Sequence, residues 1–290
     1  FTFTVNTNNT STGSSAANQF KLPLVSSFNG ITANVDWGDG TSDVITAFDQ
    51  TTVTHTYASS GSYQIKITNA LRSFRFGNAG DRLKIINISN YGIFEMDTAR
   101  AFQGCSNLTQ NAIDAPLITS TSLDLCFTNA FVFNGAIGNW DLSSVTNMGG
   151  FLDRAALFNQ DISGWNIGNV TSLFIAFRGC VLFNSNIGLW NTQSMLNTSF
   201  ALDGCNSFDR SLANWDINQI TNFSGLLNNA TGINTANYDA TLIAWNNKVP
   251  LTGRSISFGN SKFTLGGAAA AARASLISVY GWTITDGGGI

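Results

Sequence analysis

Few side chains in this sequence are suited to chemistry, and their spacing keeps them apart. His55 is the only histidine among 290 residues, and Glu95 is the only glutamate. A nucleophile needs a base within hydrogen-bond reach. The one imidazole lies in HTYASSGSY, a strand-and-turn context distant in the chain from the cysteines at 105, 126, 180 and 205. Paired carboxylates could cleave a glycosidic bond. Asp161, Asp209 and Asp216 are the candidates, but they occupy turn-like positions with no neighbour that would raise a pKa. No Gly-rich phosphate loop of the GxGxxG type occurs. No catalytic residue is therefore assigned, and a non-enzyme is expected. Asp36, Asp39 and Asp43 fall close together in VDWGDGTSD and offer the oxygen ligands that calcium takes. Carboxylates bonding to the backbone of their own turn are the competing reading, and the one the sequence favours. Calcium is the only cofactor with any candidate ligands, and CxxC-type metal spacing is absent.

The elements that must position these residues announce themselves by repetition. FNGAIGNW begins at Phe133, FNQDISGW at Phe158, FNSNIGLW at Phe183 and FDRSLANW at Phe208, a period of 25 residues. Val145, Val170, Met195 and Ile220 follow each Trp by five residues. A weaker copy precedes, with Phe102, Cys105 and Leu108. A stretched copy follows, with Tyr238, Leu242 and Trp245. Such a period implies stacked units, each burying its apolar side against its neighbours. Trp140, Trp165, Trp190 and Trp215 are then expected inside. The Asn or Asp after each Phe is expected to satisfy backbone groups between units. Cys105, Cys180 and Cys205 share one phase with Ala130, Ala155 and Ala230, which describes a small buried slot. A Cys180–Cys205 bridge between adjacent units is the alternative.

FNQDISGWNIGNVTSL, AFQGCSNL and AFRGC resemble BspA-like leucine-rich-repeat surface proteins over about residues 83–247. That resemblance implies bacterial cell-surface and adhesion roles and copies in phage-like contexts, with no catalytic motif to carry over. VDWGDGT and HTYASSGSYQIKIT resemble a PKD-type domain, which implies a spacer or interaction module. The expected fold class is mixed β/α. A PKD-like β-sandwich over 1–70 precedes a leucine-rich-repeat-type solenoid over 71–250, and a cap over 251–290 follows. Alternation predicts strands at Thr32–Trp37 and Ser62–Thr68. Phe1–Val5 and Phe20–Val25 would supply the earlier strands that the PKD resemblance implies, with a polar loop over Ser11–Ala17 between them. In the last segment Ile256 and Phe258 suggest a strand, Leu265–Tyr280 a helix and Trp282–Ile284 a final strand. Residues 286–290 read as a flexible tail.

Composition narrows the partners. Charged residues are 11%, the net charge is −3, and Lys and Arg total 14. With no basic run there is no footprint for nucleic acid. No stretch approaches 18 consecutive apolar residues, so no membrane span is expected. Scarce Lys and Glu lean towards an extracellular, bacterial cell-surface or virion-surface location. The chain opens at Phe1 with no signal peptide and reads as a mature or trimmed piece. Between the fixed Phe and Trp, the variable residues Gln160, Asp161, Ser185, Asn186, Arg210 and Ser211 would form a polar stripe, joined by Asn166 and Asn191 just after Trp. The stripe suits hydrogen bonding to a cell-surface protein or glycan. The alternatives are a plain solvated face, or a structural subunit of an appendage, filament or virion that contacts neighbouring subunits and has no ligand of its own.

The shared Cys/Ala phase makes a prediction about redox state. Alkylating the unfolded chain without reductant should modify four thiols. A linked Cys180–Cys205 peptide pair would contradict it.

Overall fold

The structure, a computed structural model, describes residues 1–248 and 251–290. Alternating side chains build its first part. In β1 (Thr2–Asn6) Phe3 and Val5 point inward, and in β6 (Ser62–Thr68) Ile65 and Ile67 do the same. These strands pair antiparallel. With β3 (Ala33–Asp36), β4 (Ser42–Ile45), β7 (Ile85–Asn90) and β9 (Thr109–Gln110) they form one six-stranded sheet in the order β4-β3-β6-β1-β7-β9. The turn between β3 and β4 needs Gly38. Its φ is +79°, and a Cβ there would collide with the carbonyl of Gln64. β2 (Gln19–Lys21) and β5 (Thr54–Thr56) make a separate antiparallel ribbon, and β8 (Glu95–Met96) and β10 (Leu117–Ile118) a short parallel one. The sheet runs on past residue 70, because β7 pairs with β1 and β9 joins β7 in parallel.

A buried ion pair that the composition does not reveal closes this part. Lys84 is fully buried beside Asp81 at 3.5 Å. Its ammonium donates to the carbonyls of Ser15, Ala16 and Gln19 and to the Ser15 hydroxyl at 2.8–3.0 Å. The Asp81 carboxylate accepts from the Ser15 and Lys21 amides. Burial pushes the Lys84 pKa down, and Asp81 offsets only part of that, so it stays lowered. The pair ties the polar loop at 11–17 to the sheet, and removing one partner would strand a buried charge.

From there the chain is laid down in layers of 25 residues. Single parallel bridges link Ser122, Asn147, Ser172, Asn197 and Asn222 in succession. A second row of backbone bonds joins the amides of Phe127, Leu152, Phe177 and Leu202 to the carbonyls of Phe151, Ala176, Ala201 and Leu226 at 2.8–2.9 Å. Inside, Phe133, Phe158, Phe183 and Phe208 stack with centroids 6.0–6.3 Å apart. The indoles of Trp165, Trp190 and Trp215 each donate to a carbonyl of the layer before, those of Ile137, Ile162 and Ile187, at 2.9–3.0 Å. Trp140, first in the row, has no acceptor and meets Tyr91 edge-on at 5.7 Å. All four cysteines are unpaired and buried, with the thiols of Cys180 and Cys205 donating to the carbonyls of Leu152 and Phe177.

The mixed β/α fold expected from the sequence, a PKD-like sandwich followed by a leucine-rich-repeat-type solenoid and a cap, is not what forms. The regular elements are mostly short strands, and the layers do not close in the manner of a solenoid. From Leu123 to Ile233 they contain isolated bridges and turns, with neither a regular strand nor an α-helix. Among the described residues there are two α-helices, α1 (Thr235–Asn247) and α2 (Ala268–Ser278). The local cause is backbone conformation. Every layer holds two left-handed residues four apart, as at Leu125 and Asn129, Gly150 and Arg154, Ile175 and Gly179, and Phe200 and Gly204. A positive φ ends a strand or helix at once.

The far end is covered by helices and extended chain. The stretched repeat is α1, because Tyr238, Thr241, Leu242 and Trp245 stand at i, i+3, i+4 and i+7 and form its buried face. Asn234 caps it by accepting from the Asn237 amide. β11 (Ser255–Ser257) and β12 (Thr283–Thr285) pair in parallel. Residues 286–290 are not a free tail. The Asp286 carboxylate accepts from the Tyr238 hydroxyl at 2.6 Å and the Arg273 guanidinium at 2.7 Å, while Gly288 and Ile290 pair with Phe263 and Leu265.

The packed indole row sets an expected cost. Trp165→Ala should lose about 3–5 kcal/mol in denaturant unfolding, because it opens the core and orphans the Ile137 carbonyl. A loss below about 1 kcal/mol would place the ring outside the load of the core.

Candidate binding groove

One side-chain ladder sets the outer edge of the layers. Asn134 accepts from the Asn159 amide at 2.9 Å, Asn159 from Asn184 at 2.8 Å, Asn184 from Asp209 at 3.0 Å, and Asp209 from Asn234 at 2.8 Å. An amide or carboxylate oxygen one residue beyond each buried Phe thus satisfies a backbone donor in the next layer, which would otherwise cost about 1–3 kcal/mol if buried unpaired.

Beside this ladder the surface is concave. One depression of about 330 Å³ is lined by Asn159, Gln160, Asp161, Ser163, Asn184, Ser185, Asn186 and Arg210. A second, of about 360 Å³, is lined by Ile113, Ala136, Gly138, Asn139, Gln160 and Asp161. Gln160 and Asp161 belong to both, so the two form one trough across successive layers.

The trough gathers five of the eight residues expected to bind. Asp161, Asn186 and Arg210 are exposed, and Gln160 is half-buried with its amide donating to Asn134. Arg210 Nε donates to the Asn184 carbonyl at 3.0 Å, fixing the guanidinium across a layer boundary. Ser185 is buried. Its hydroxyl accepts from the Ile162 amide at 2.9 Å and donates to Asp161, so it holds the wall of the trough. Ser211 lies outside, accepting from the Ala213 amide and facing the Thr241 hydroxyl. Asn166 and Asn191 form another row, each accepting from the amide two residues ahead. Neither lines the trough. Asn159, Ser163 and Asn184 line it without having been expected, because the Asn phase carries structural and surface roles in one side chain.

Sequence reasoning also missed an exposed apolar strip. Phe131-Val132, Ala156-Leu157 and Val181-Leu182 occupy one phase of three successive layers, with Phe131, Leu157 and Leu182 each close to half exposed. Ser106-Asn107 and Asn206-Ser207 hold that phase in the flanking layers. Alignment of the repeats by phase would have shown it.

The titratable groups have structural partners. The Asp36 carboxylate accepts from the Gly38 amide, Asp39 from Thr41 and from His55 at 2.8 Å, and Asp43 from the Trp37 indole at 2.8 Å. His55 stacks on Trp37 at 4.7 Å. Among the described residues, no group of three or more His, Cys, Asp or Glu side chains is placed to hold a metal. Burial raises the thiol pKa of every cysteine, that of Cys126 to about 12, so none is a ready nucleophile. Hydrogen bonds from Ser163, with a smaller one from Ser185, hold Asp161 below the usual carboxylate range. No helix among the described residues is long and apolar enough to cross a membrane.

The ladder end at Asp209 yields a pH prediction. Burial alone would raise its pKa, but bonds from Asn234 and Asn237 outweigh that and leave it lowered. A folded pKa below the unfolded one adds stability that is present above the unfolded value. That stability is lost as pH falls through the folded value. Asp209→Asn should therefore melt lower than the parent near pH 6, and the gap should shrink below about pH 4. A gap that does not change with pH would contradict this role.

No curated protein and no solved structure matches the chain. One family does, over residues 95–204 and again over 121–241, the layers that carry the trough. Together the two matches cover just over half of the sequence, and the chain belongs to that family, described as Mycoplasma protein of unknown function, DUF285.

Proposed function

We propose that this chain is a non-catalytic recognition module of an extracellular, bacterial cell or virion surface, and that it binds a partner through the trough. The observation that carries this reading is the trough itself. It crosses layer boundaries, its walls are set by inter-layer hydrogen bonds, and its exposed residues contribute little to the core. A surface fixed before binding loses less entropy on association. The DUF285 membership supports a surface repeat protein, because that family is associated with BspA-like surface repeats. The absence of a workable acid, base or nucleophile in the trough favours binding over turnover, since Asp161 is kept ionised and the cysteines are buried away from it.

The test is a triple variant, Gln160→Ala, Asn186→Ala and Arg210→Ala. Each surface change should cost under about 0.5 kcal/mol of stability. Attachment of the purified protein to target cells should weaken, and it should depend only mildly on salt, because the trough carries few charges. Attachment that survives the triple change but disappears when Asp39 and His55 are replaced would move the site to the first sheet.

A further inference from the structure

The trough has a direction. At one end Ile113 is 92% exposed beside Ala136 and Gly138, with Asp161 lining the far side of the same depression. Four layers on, Arg210 closes the other end. Its Nε is committed to the Asn184 carbonyl, while its two NH2 groups make no hydrogen bond among the described residues. Asp161 sits between. The residues linking the ends, Gln160 and Asn186, are amides that both donate and accept. No aromatic ring lines the trough, since the Phe and Trp rows are interior.

We infer, resting on the recognition reading above, that the occupant is an extended peptide segment of a partner protein. It lies across the layers with an aliphatic side chain on Ile113 and an acidic group on Arg210. Three features select a peptide. An exposed aliphatic seat matches a Leu, Ile or Val side chain. A sugar ring would find no aromatic platform. The side-chain amides of Gln160 and Asn186 can each donate to and accept from peptide N–H and C=O groups. Layers bridged as these are stand about 4.8 Å apart, so four steps span on the order of 19 Å. An extended chain at about 3.3 Å per residue covers that in roughly six residues. Charge complementarity fixes the polarity, with the free guanidinium facing Asp or Glu. Asp161 opposes a second acidic residue midway.

A displayed library of random octapeptides, panned on the full chain, tests this. The expected selection is an aliphatic residue about six positions from an Asp or Glu, without a second acid between them. Synthetic peptides of that pattern, followed by fluorescence anisotropy, should bind about five-fold more weakly when their acid is made neutral. Arg210→Glu should reverse the preference from Asp or Glu to Lys or Arg, a gain that a misfolded variant could not show. Ile113→Ser should remove the aliphatic preference and leave the acidic one. Selection of no common pattern, or a preference unaltered by Arg210→Glu, overturns the peptide inference. If a glycan array is bound and that binding is lost in the triple variant, the peptide is overturned while the recognition reading stands. If cell attachment also ignores the triple variant, both fall.

Discussion

Everything in the second half of this molecule depends on register between layers. A layer of 25 residues closes its own turns, as the Ala155 amide does on the Leu152 carbonyl and the Trp165 amide on Ile162, but it has no core without its neighbours. Its remaining backbone groups are satisfied by neighbouring layers, through the bridges at Asn147, Ser172 and Asn197 on one side and the amides of Asn159, Asn184 and Asp209 on the other. The Phe and Trp rows then fill the space between. A slip of one residue would turn Phe158 outward and place Asn159 inside, so the apolar and polar rows enforce the same alignment.

That register also explains how a surface of turns can be a rigid site. The trough runs across successive layers, and the bonds between those layers set its walls. Ser185 and Arg210 each reach into the preceding layer, to the Ile162 amide and the Asn184 carbonyl. The stack is finite at both ends. β9 joins it to the six-stranded sheet, and α1, α2 and the pinned segment at 286–290 cover the other side.

Much of this was legible in the residues. The period, the interior Trp row, the Cys/Ala slot and the role of the Asn after each Phe can be read directly, because each is fixed by one phase and one physical need. Strands β3 and β6 follow from alternation. The fold class was not legible. A 25-residue period records that units stack, but left-handed residues such as Leu125 and Ile175 decide what each unit looks like, and nothing in their side chains announces a positive φ. Helix α1 hid inside the stretched repeat because Tyr238, Leu242 and Trp245 satisfy both spacings. Lys84 and Asp81 find their other partners only in a loop some 65 residues upstream. At the site, variability between fixed residues found Gln160, Asp161, Asn186 and Arg210. It also took Ser185, whose hydroxyl serves the fold, and passed over Asn159 and Asn184, which serve both.

Hydrogen exchange at the amides of Asn159, Asn184, Asp209 and Asn234 tests the inter-layer register most directly. Each of these amides is held by a side-chain oxygen of the preceding layer. If those bonds set the trough, all four amides should exchange together and slowly, at the rate of global opening that governs the Leu152 and Phe177 amides. Fast and independent exchange at Asn159 and Asn184, with Leu152 and Phe177 still protected, would show that the outer edge is loose and the trough is not formed before a partner arrives.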